Sequence, residues 1–183
     1  MDQFIPDYPC TYLIYGNIHS GKTTIVRELM NILNVDNQYA ITTSIEDYED
    51  IITNTEYKME ELDAWIKIPE DKLLILDDFL HVATENGKVG RHLKSLITTT
   101  RKRDKRLNIV ISAHVLAIGK YVRSCASVFI LFKVDEDSEK IMKQFLPIDQ
   151  NTINNIRDVL INQRYTFLIL DTGGQWQLMR LEQ

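Results

Sequence analysis

Tyr15 to Thr24, YGNIHSGKTT, decides how the rest of this chain is read. Gly16 through Thr23 fit the pattern G-x-x-x-x-G-K-[ST] in full. The two glycines let the backbone wrap so that successive N–H groups converge on an anion. A helix starting where the loop ends adds its positive N-terminal pole. In such a loop the lysine, here Lys22, reaches the β- and γ-phosphates, and the hydroxyl of Thr23 turns to Mg²⁺. The pattern requires a strand before it and a helix after it. TYLIY (Thr11–Tyr15) is a short apolar run that reads as a buried strand. TTIVRELMNILN places Ile25, Leu29, Ile32 and Leu33 at the spacing of an amphipathic helix. Gly16, Asn17, Ile18, His19, Ser20, Gly21, Lys22, Thr23 and Thr24 are therefore expected to hold ATP with Mg²⁺. A glycine turn carrying a surface lysine would need neither flank.

A phosphate loop needs a metal-side carboxylate at the end of a nearby strand. LLILDDF supplies one, with four apolar residues running into Asp77 and Asp78. Asp77 is expected to hold Mg²⁺ through water. Asp78 is placed to polarise the attacking water, because hydrolysis needs a base beside the metal carboxylate. Without the loop, the pair would read as a strand-ending turn. The next strand, NIVISAH, ends near Ser112 and His114, two candidates for sensing the γ-phosphate. The other reading of His114 is a satisfied, half-buried side chain.

The remaining pattern alternates strands with helices. Gln38–Ser44, Leu107–His114, Ala126–Val134 and Arg164–Asp171 read as strands. Helices are expected over Ser44–Asn54 with Ser44 as N-cap, over Lys88–Asp104, over Asp135–Leu146 and over Asn151–Asn162. Gly174–Glu182 is expected to fold back beside the last strand as a hairpin after Gly173–Gly174. This alternation predicts an α/β fold, a mainly parallel sheet covered by helices on both faces, as one domain over residues 1–183.

Composition narrows the classes. Hydrophobic residues at 44% and charged residues at 26% are ordinary for a globular protein. A net charge of −5 gives no global attraction to nucleic acid or anionic membrane, so such binding must come from a local patch. Cys10 and Cys125 are too few for a disulfide framework, and no apolar run reaches the ~18–20 residues of a membrane span. A soluble intracellular protein is the expectation. One basic patch exists: Lys88, Arg91, Lys94, Arg101, Lys102, Arg103, Lys105 and Arg106 fall within 19 residues. It reads as a DNA-backbone tracker, as a source of an interface arginine, or as a solvated helix end. Trp65 and Trp176 read as packing residues, and Met30, Met59, Met142 and Met179 as gap fillers. His81, His92 and the cysteines lack metal-ligand spacing.

The loop, ITTS on the second strand, LLILDD, TRKRDKRLNIVISAH, VFILFK and the late YTFLILD follow one another in an order that resembles a known family. It is that of the genome-packaging ATPases of double-stranded DNA viruses, the poxvirus-like branch of the FtsK–HerA superfamily. The resemblance runs from about Thr11 to about Asp171. It implies a RecA-like core, a homo-oligomeric ring that moves double-stranded DNA into a preformed capsid, and contacts with viral capsid proteins. A location in the host-cell cytoplasm, at the viral assembly site or on the virion follows. It also implies that an arginine of a neighbouring subunit completes each active site. Arg103 best matches that position by its spacing to His114, with Arg101 and Arg123 behind it. The family commonly has Gln where this chain has His114, while Asp-Asp at 77–78 suits the viral branch. Two other readings remain open: a small nucleoside or metabolite kinase with RKRDKR as its lid, and a nucleotide switch with negligible turnover.

Overall fold

A computed structural model describes residues 1–6, 8–78, 87–103, 106–114 and 120–181, with backbone alone for 2, 99–103 and 120–122. The strands are β1 (Thr11–Tyr15), β2 (Asn37–Thr42), β3 (Ile52–Asn54), β4 (Lys72–Asp77), β5 (Leu107–Ala113), β6 (Val128–Leu131), β7 (Thr166–Asp171) and β8 (Trp176–Arg180). They form one eight-stranded sheet in the order β3-β2-β4-β5-β1-β6-β7-β8. The pairings from β3 to β6 are parallel, and β7 and β8 add antiparallel as the expected C-terminal hairpin. The helices are α1 (Lys22–Leu33), α2 (Met59–Ile66), α3 (Lys88–Arg103), α4 (Lys120–Cys125), α5 (Glu136–Phe145) and α6 (Gln150–Asn162).

Every residue of β1, β4, β5 and β6 is buried. That burial is what a parallel strand covered on both faces requires. Alternation sorts the strand residues between two cores. Leu13, Leu74, Leu76, Ile109 and Ile111 face Leu62, Trp65, Leu93, Met142 and Ile156 of the helices on one side. Tyr12, Ile14, Leu73, Ile75 and Val110 face Ile25 and Leu29 of α1 on the other. The local signals agree with this packing. Asn34 stops α1 in the left-handed region at φ 44°, its N–H bonding to the Met30 carbonyl. Asp135 and Ser138 form a reciprocal capping box at the start of α5.

The helix expected over Ser44–Asn54 does not form. Ile45–Tyr48 makes a short 3-10 turn, and Ile52–Asn54 becomes the edge strand β3 on β2. The segment offers no apolar seam: Ile45 and Ile52 are 47% and 55% exposed, and Tyr48 alone is buried. Ser44 makes no side-chain cap bond. Helices α2 and α4 were not expected; they are eight and six residues long, too short to show a periodic pattern. Trp65 packs as expected, buried against Tyr39 with ring centroids 5.3 Å apart. Trp176 does not: it lies 38% exposed on the edge strand β8. No helix among the described residues is long and apolar enough to cross a membrane. His81, Asp104 and Lys105 lie outside the described residues.

Candidate nucleotide site

Strand order assembles the site. β5 lies between the loop-bearing β1 and the carboxylate-bearing β4, with Tyr15 level with Ala113 and Asp77 level with Ser112. The three strand ends therefore open on one edge of the sheet, where parallel strands direct their C-terminal ends to a ligand. Gly16 N–H donates to the Ala113 carbonyl at 3.2 Å and joins the loop to that edge.

The loop keeps its glycines for two different reasons. A Cβ on Gly16 would lie 2.6 Å from Cβ of Phe132 and 2.7 Å from Oγ of Ser20. Gly21 has φ 101°, a left-handed conformation that glycine adopts without penalty, and its added Cβ would strike Leu181 from the end of the hairpin. His19 shares the positive φ, at 60°. Asn17, Ile18 and His19 are exposed at the loop's crest, Ile18 to 66%. The first turn of α1 carries no side-chain cap and no carboxylate, which suits an anion at that pole. Gly16→Ala should cost about 1–3 kcal/mol, as overpacking does. A thermal melt checks this, and an unchanged Tm would mean that the loop shifts freely away from Phe132.

Lys22 is only 4% exposed. Its ammonium donates to the Asn17 carbonyl at 2.9 Å and stands 2.8 Å from Nδ1 of His114. Burial pushes its pKa below the ordinary lysine value, while the carboxylates of Asp78 and Asp77 pull the other way. On the far side of the ring, Nε2 of His114 meets Oδ2 of Asp78 at 2.8 Å. With Lys22 as donor, Nδ1 of His114 accepts and Nε2 faces the Asp78 carboxylate; Nδ1 also lies 3.3 Å from the Gly16 carbonyl. One imidazole thus links the loop lysine to the second carboxylate. Asp78 itself has φ 51°, beyond the end of β4.

Asp77, 2% exposed, is held by hydroxyls. Oγ1 of Thr23 donates to its Oδ2 at 3.2 Å, the Tyr48 hydroxyl donates to the same oxygen at 2.8 Å, and Oγ of Ser112 donates to Oδ1. Ser112 also accepts from the Asp78 N–H at 3.3 Å, so it engages both residues of the pair, while His114 bridges the loop lysine and the Asp78 carboxylate. Thr23 and Asp77 present oxygen donors only. Mg²⁺ prefers that chemistry, with one or two carboxylates, several waters and substrate phosphates. The residues fit the ion.

Sequence patterning thus brings Lys22, Thr23, Asp77, Asp78 and His114 to one place. Arg103 is elsewhere. It ends α3, four residues before β5 begins. The seven residues of β5 then span about 20 Å at 3.3 Å per residue. Arg103 therefore starts from the opposite edge of the sheet. Arg106 is tied at that edge to the Pro69 carbonyl. Arg123 stands 3.5 Å from Asp137, and the side chain of Arg101 lies outside the described residues. Asp171, level with Val128 at the start of β6, is also on the edge away from the loop.

An eight-stranded, mainly parallel sheet with a glycine loop at its ligand edge and a strand between loop and carboxylates defines a P-loop NTPase. Residues 12–134 match the model of the ATPase family associated with various cellular activities (AAA), and the chain belongs to that family. ATP binding and hydrolysis are the chemistry that membership brings. No curated protein sequence matches the chain significantly. Solved structures share the fold. The genome packaging NTPase B204 from Sulfolobus turreted icosahedral virus 2, in complex with AMP, is 14% identical. It superposes with a TM-score of 0.68 over 95% of this chain and 98% of that one. B204, the DNA-packaging ATPase from Sulfolobus turreted icosahedral virus, is 15% identical with a TM-score of 0.66, covering 95% and 99%. EssC (ATPases 2 and 3) from Geobacillus thermodenitrificans is 14% identical with a TM-score of 0.64; the match spans 94% of this chain and 37% of EssC.

Proposed function

We propose that this ATPase is a viral genome-packaging motor of the FtsK–HerA superfamily that moves double-stranded DNA into a capsid. The observation that carries the hydrolytic reading is the Lys22–His114–Asp78 chain, at 2.8 Å on each side of the imidazole. It sets a carboxylate beyond the metal carboxylate and ties it to the lysine that meets the γ-phosphate. Asp78 is the general base for water, Lys22 neutralises charge on the transferring phosphoryl group, and His114 senses the γ-phosphate. Thr23 and Asp77 would hold Mg²⁺, which when bound would supply charge neutralisation.

The DNA reading rests on separate support. Lys88, Arg91 and Lys94 stand exposed along α3, while Leu93, Leu96 and Ile97 bury its other face. A cationic stripe without interleaved aromatics suits contact with the phosphate backbone more than base reading. Fold similarity to two packaging ATPases over nearly the full length of both chains supports the same assignment. Assembly as a homo-oligomeric ring, contact with capsid proteins and a place at the viral assembly site in the host cytoplasm or on the virion belong to this proposal.

A duplex carrying a short triplex roadblock tests the function. The protein with ATP and Mg²⁺ should displace the third strand, and Lys22→Ala should not. ATP-derived phosphate recovered on a nucleoside, with no displacement, would make the protein a kinase. Arg103 gives a second test. Its backbone lies at the edge of the sheet away from its own subunit's loop, so the role proposed for it is toward a neighbouring subunit's nucleotide. Arg103→Ala mixed with Lys22→Ala should regain turnover that neither has alone. No recovery at any mixing ratio would assign Arg103 to DNA or to structure.

A further inference from the structure

We propose that Tyr48 is a positioning residue for the metal-nucleotide complex, fixing the Asp77 carboxylate through its hydroxyl. The inference rests on the Mg²⁺–ATP reading of the site. Tyr48 comes from the 3-10 turn after β2, a segment with no recognised nucleotide motif. Its ring lies in the core formed with Ile14, Ile25, Val26 and Ile75, and the residue is 2% exposed. Phenylalanine would fill that space as well. What tyrosine adds is a donor delivered 2.8 Å from Oδ2 of a carboxylate that is itself 2% exposed.

The geometry around Asp77 explains why this donor matters. A carboxylate offers about four acceptor positions. Thr23, Tyr48 and Ser112 engage three of them from three separate elements. Thr23 also has the metal to serve, and Ser112 also receives the Asp78 N–H. The Tyr48 hydroxyl donates to Asp77. The turn that presents it is anchored in turn: Arg27 of α1 donates to the Asp47 carbonyl at 3.0 Å and pairs with the Asp47 carboxylate at 2.8 Å. Thr53 of β3 donates to the Tyr48 carbonyl at 2.9 Å. The helix that begins with the metal-side residues thereby fixes the turn that orients their carboxylate.

Groups that orient a metal-side ligand typically change metal affinity about 10- to 100-fold when removed. The test is Mn²⁺ binding, read by electron paramagnetic resonance, in the presence of a non-hydrolysable ATP analogue. Wild type is compared with Tyr48→Phe below both melting temperatures, so lost stability alone does not move the midpoint. Tyr48→Phe should raise the Mn²⁺ midpoint about 10-fold or more, while metal-free binding of a fluorescent ATP analogue stays unchanged. An unchanged Mn²⁺ midpoint in Tyr48→Phe, with wild type binding normally, overturns the role given to Tyr48. Wild type that shows no nucleotide-dependent Mn²⁺ binding overturns the metal-nucleotide reading beneath it.

Discussion

Lys22→Ala protein is expected to fold normally and to lose turnover by at least about 100- to 1,000-fold, the cost of removing one charge-stabilising donor from a transition state. The two halves of this result have different causes. In the nucleotide-free protein the ammonium is buried and its pKa is depressed, so the environment disfavours its charge despite the nearby carboxylates. Deleting it removes that burden, and the melting temperature should be no lower than that of wild type. With nucleotide bound, the role proposed for the same ammonium is to neutralise charge on the transferring phosphoryl group. Calorimetry and steady-state hydrolysis on the same preparation check both halves. A large fall in Tm would make Lys22 a structural residue, and residual hydrolysis near wild type would remove it from the reaction.

Asp78→Asn is expected to separate binding from chemistry. The amide keeps the shape of the side chain and its reach to Nε2 of His114, 2.8 Å from the present carboxylate oxygen. It cannot accept a proton. Hydrolysis should fall about 100- to 10,000-fold, the range that general-base catalysis supplies. Affinity for ATP should hold, because Lys22, Thr23 and the loop backbone are untouched. Equilibrium binding of a fluorescent ATP analogue, paired with single-turnover hydrolysis, measures the two effects separately. Retained hydrolysis would remove Asp78 from the role of base. A loss of binding equal to the loss of rate would make it a nucleotide ligand instead.

The parts of this site that can be read from the sequence are those whose neighbours along the chain are also their neighbours in space. Gly16 to Thr23 form one loop, so its spacing alone specifies the cradle. Asp77 and Asp78 end an apolar run, and a buried parallel strand has only one ligand-facing end. His114 is legible for the same reason, at the end of β5. Which way each side chain turns is less legible. Ser112 and His114 are both candidates for the γ-phosphate by sequence, and only packing sends Ser112 to Asp77 and His114 to Lys22.

Tyr48 was hidden for a further reason. Its segment reads as a helix with Ser44 as N-cap. Competition from the open edge of β2 wins instead, drawing Ile52–Asn54 into the sheet. Once that happens, the tyrosine sits at the sheet's ligand edge rather than on a surface helix. The contact of Leu181 with Gly21 was equally out of reach. It follows from the antiparallel return of β8, which brings the end of the hairpin back beside the loop.

Steady-state ATP hydrolysis across a salt series, with and without duplex DNA and with Lys22→Ala as the blank, puts the proposed motor to its most direct trial. Turnover should rise with duplex DNA at low salt, and the stimulation should fade as salt increases, because phosphate contacts are lost to competing cations. Turnover that ignores duplex DNA at every salt concentration, but rises with a small phosphate acceptor, would contradict it.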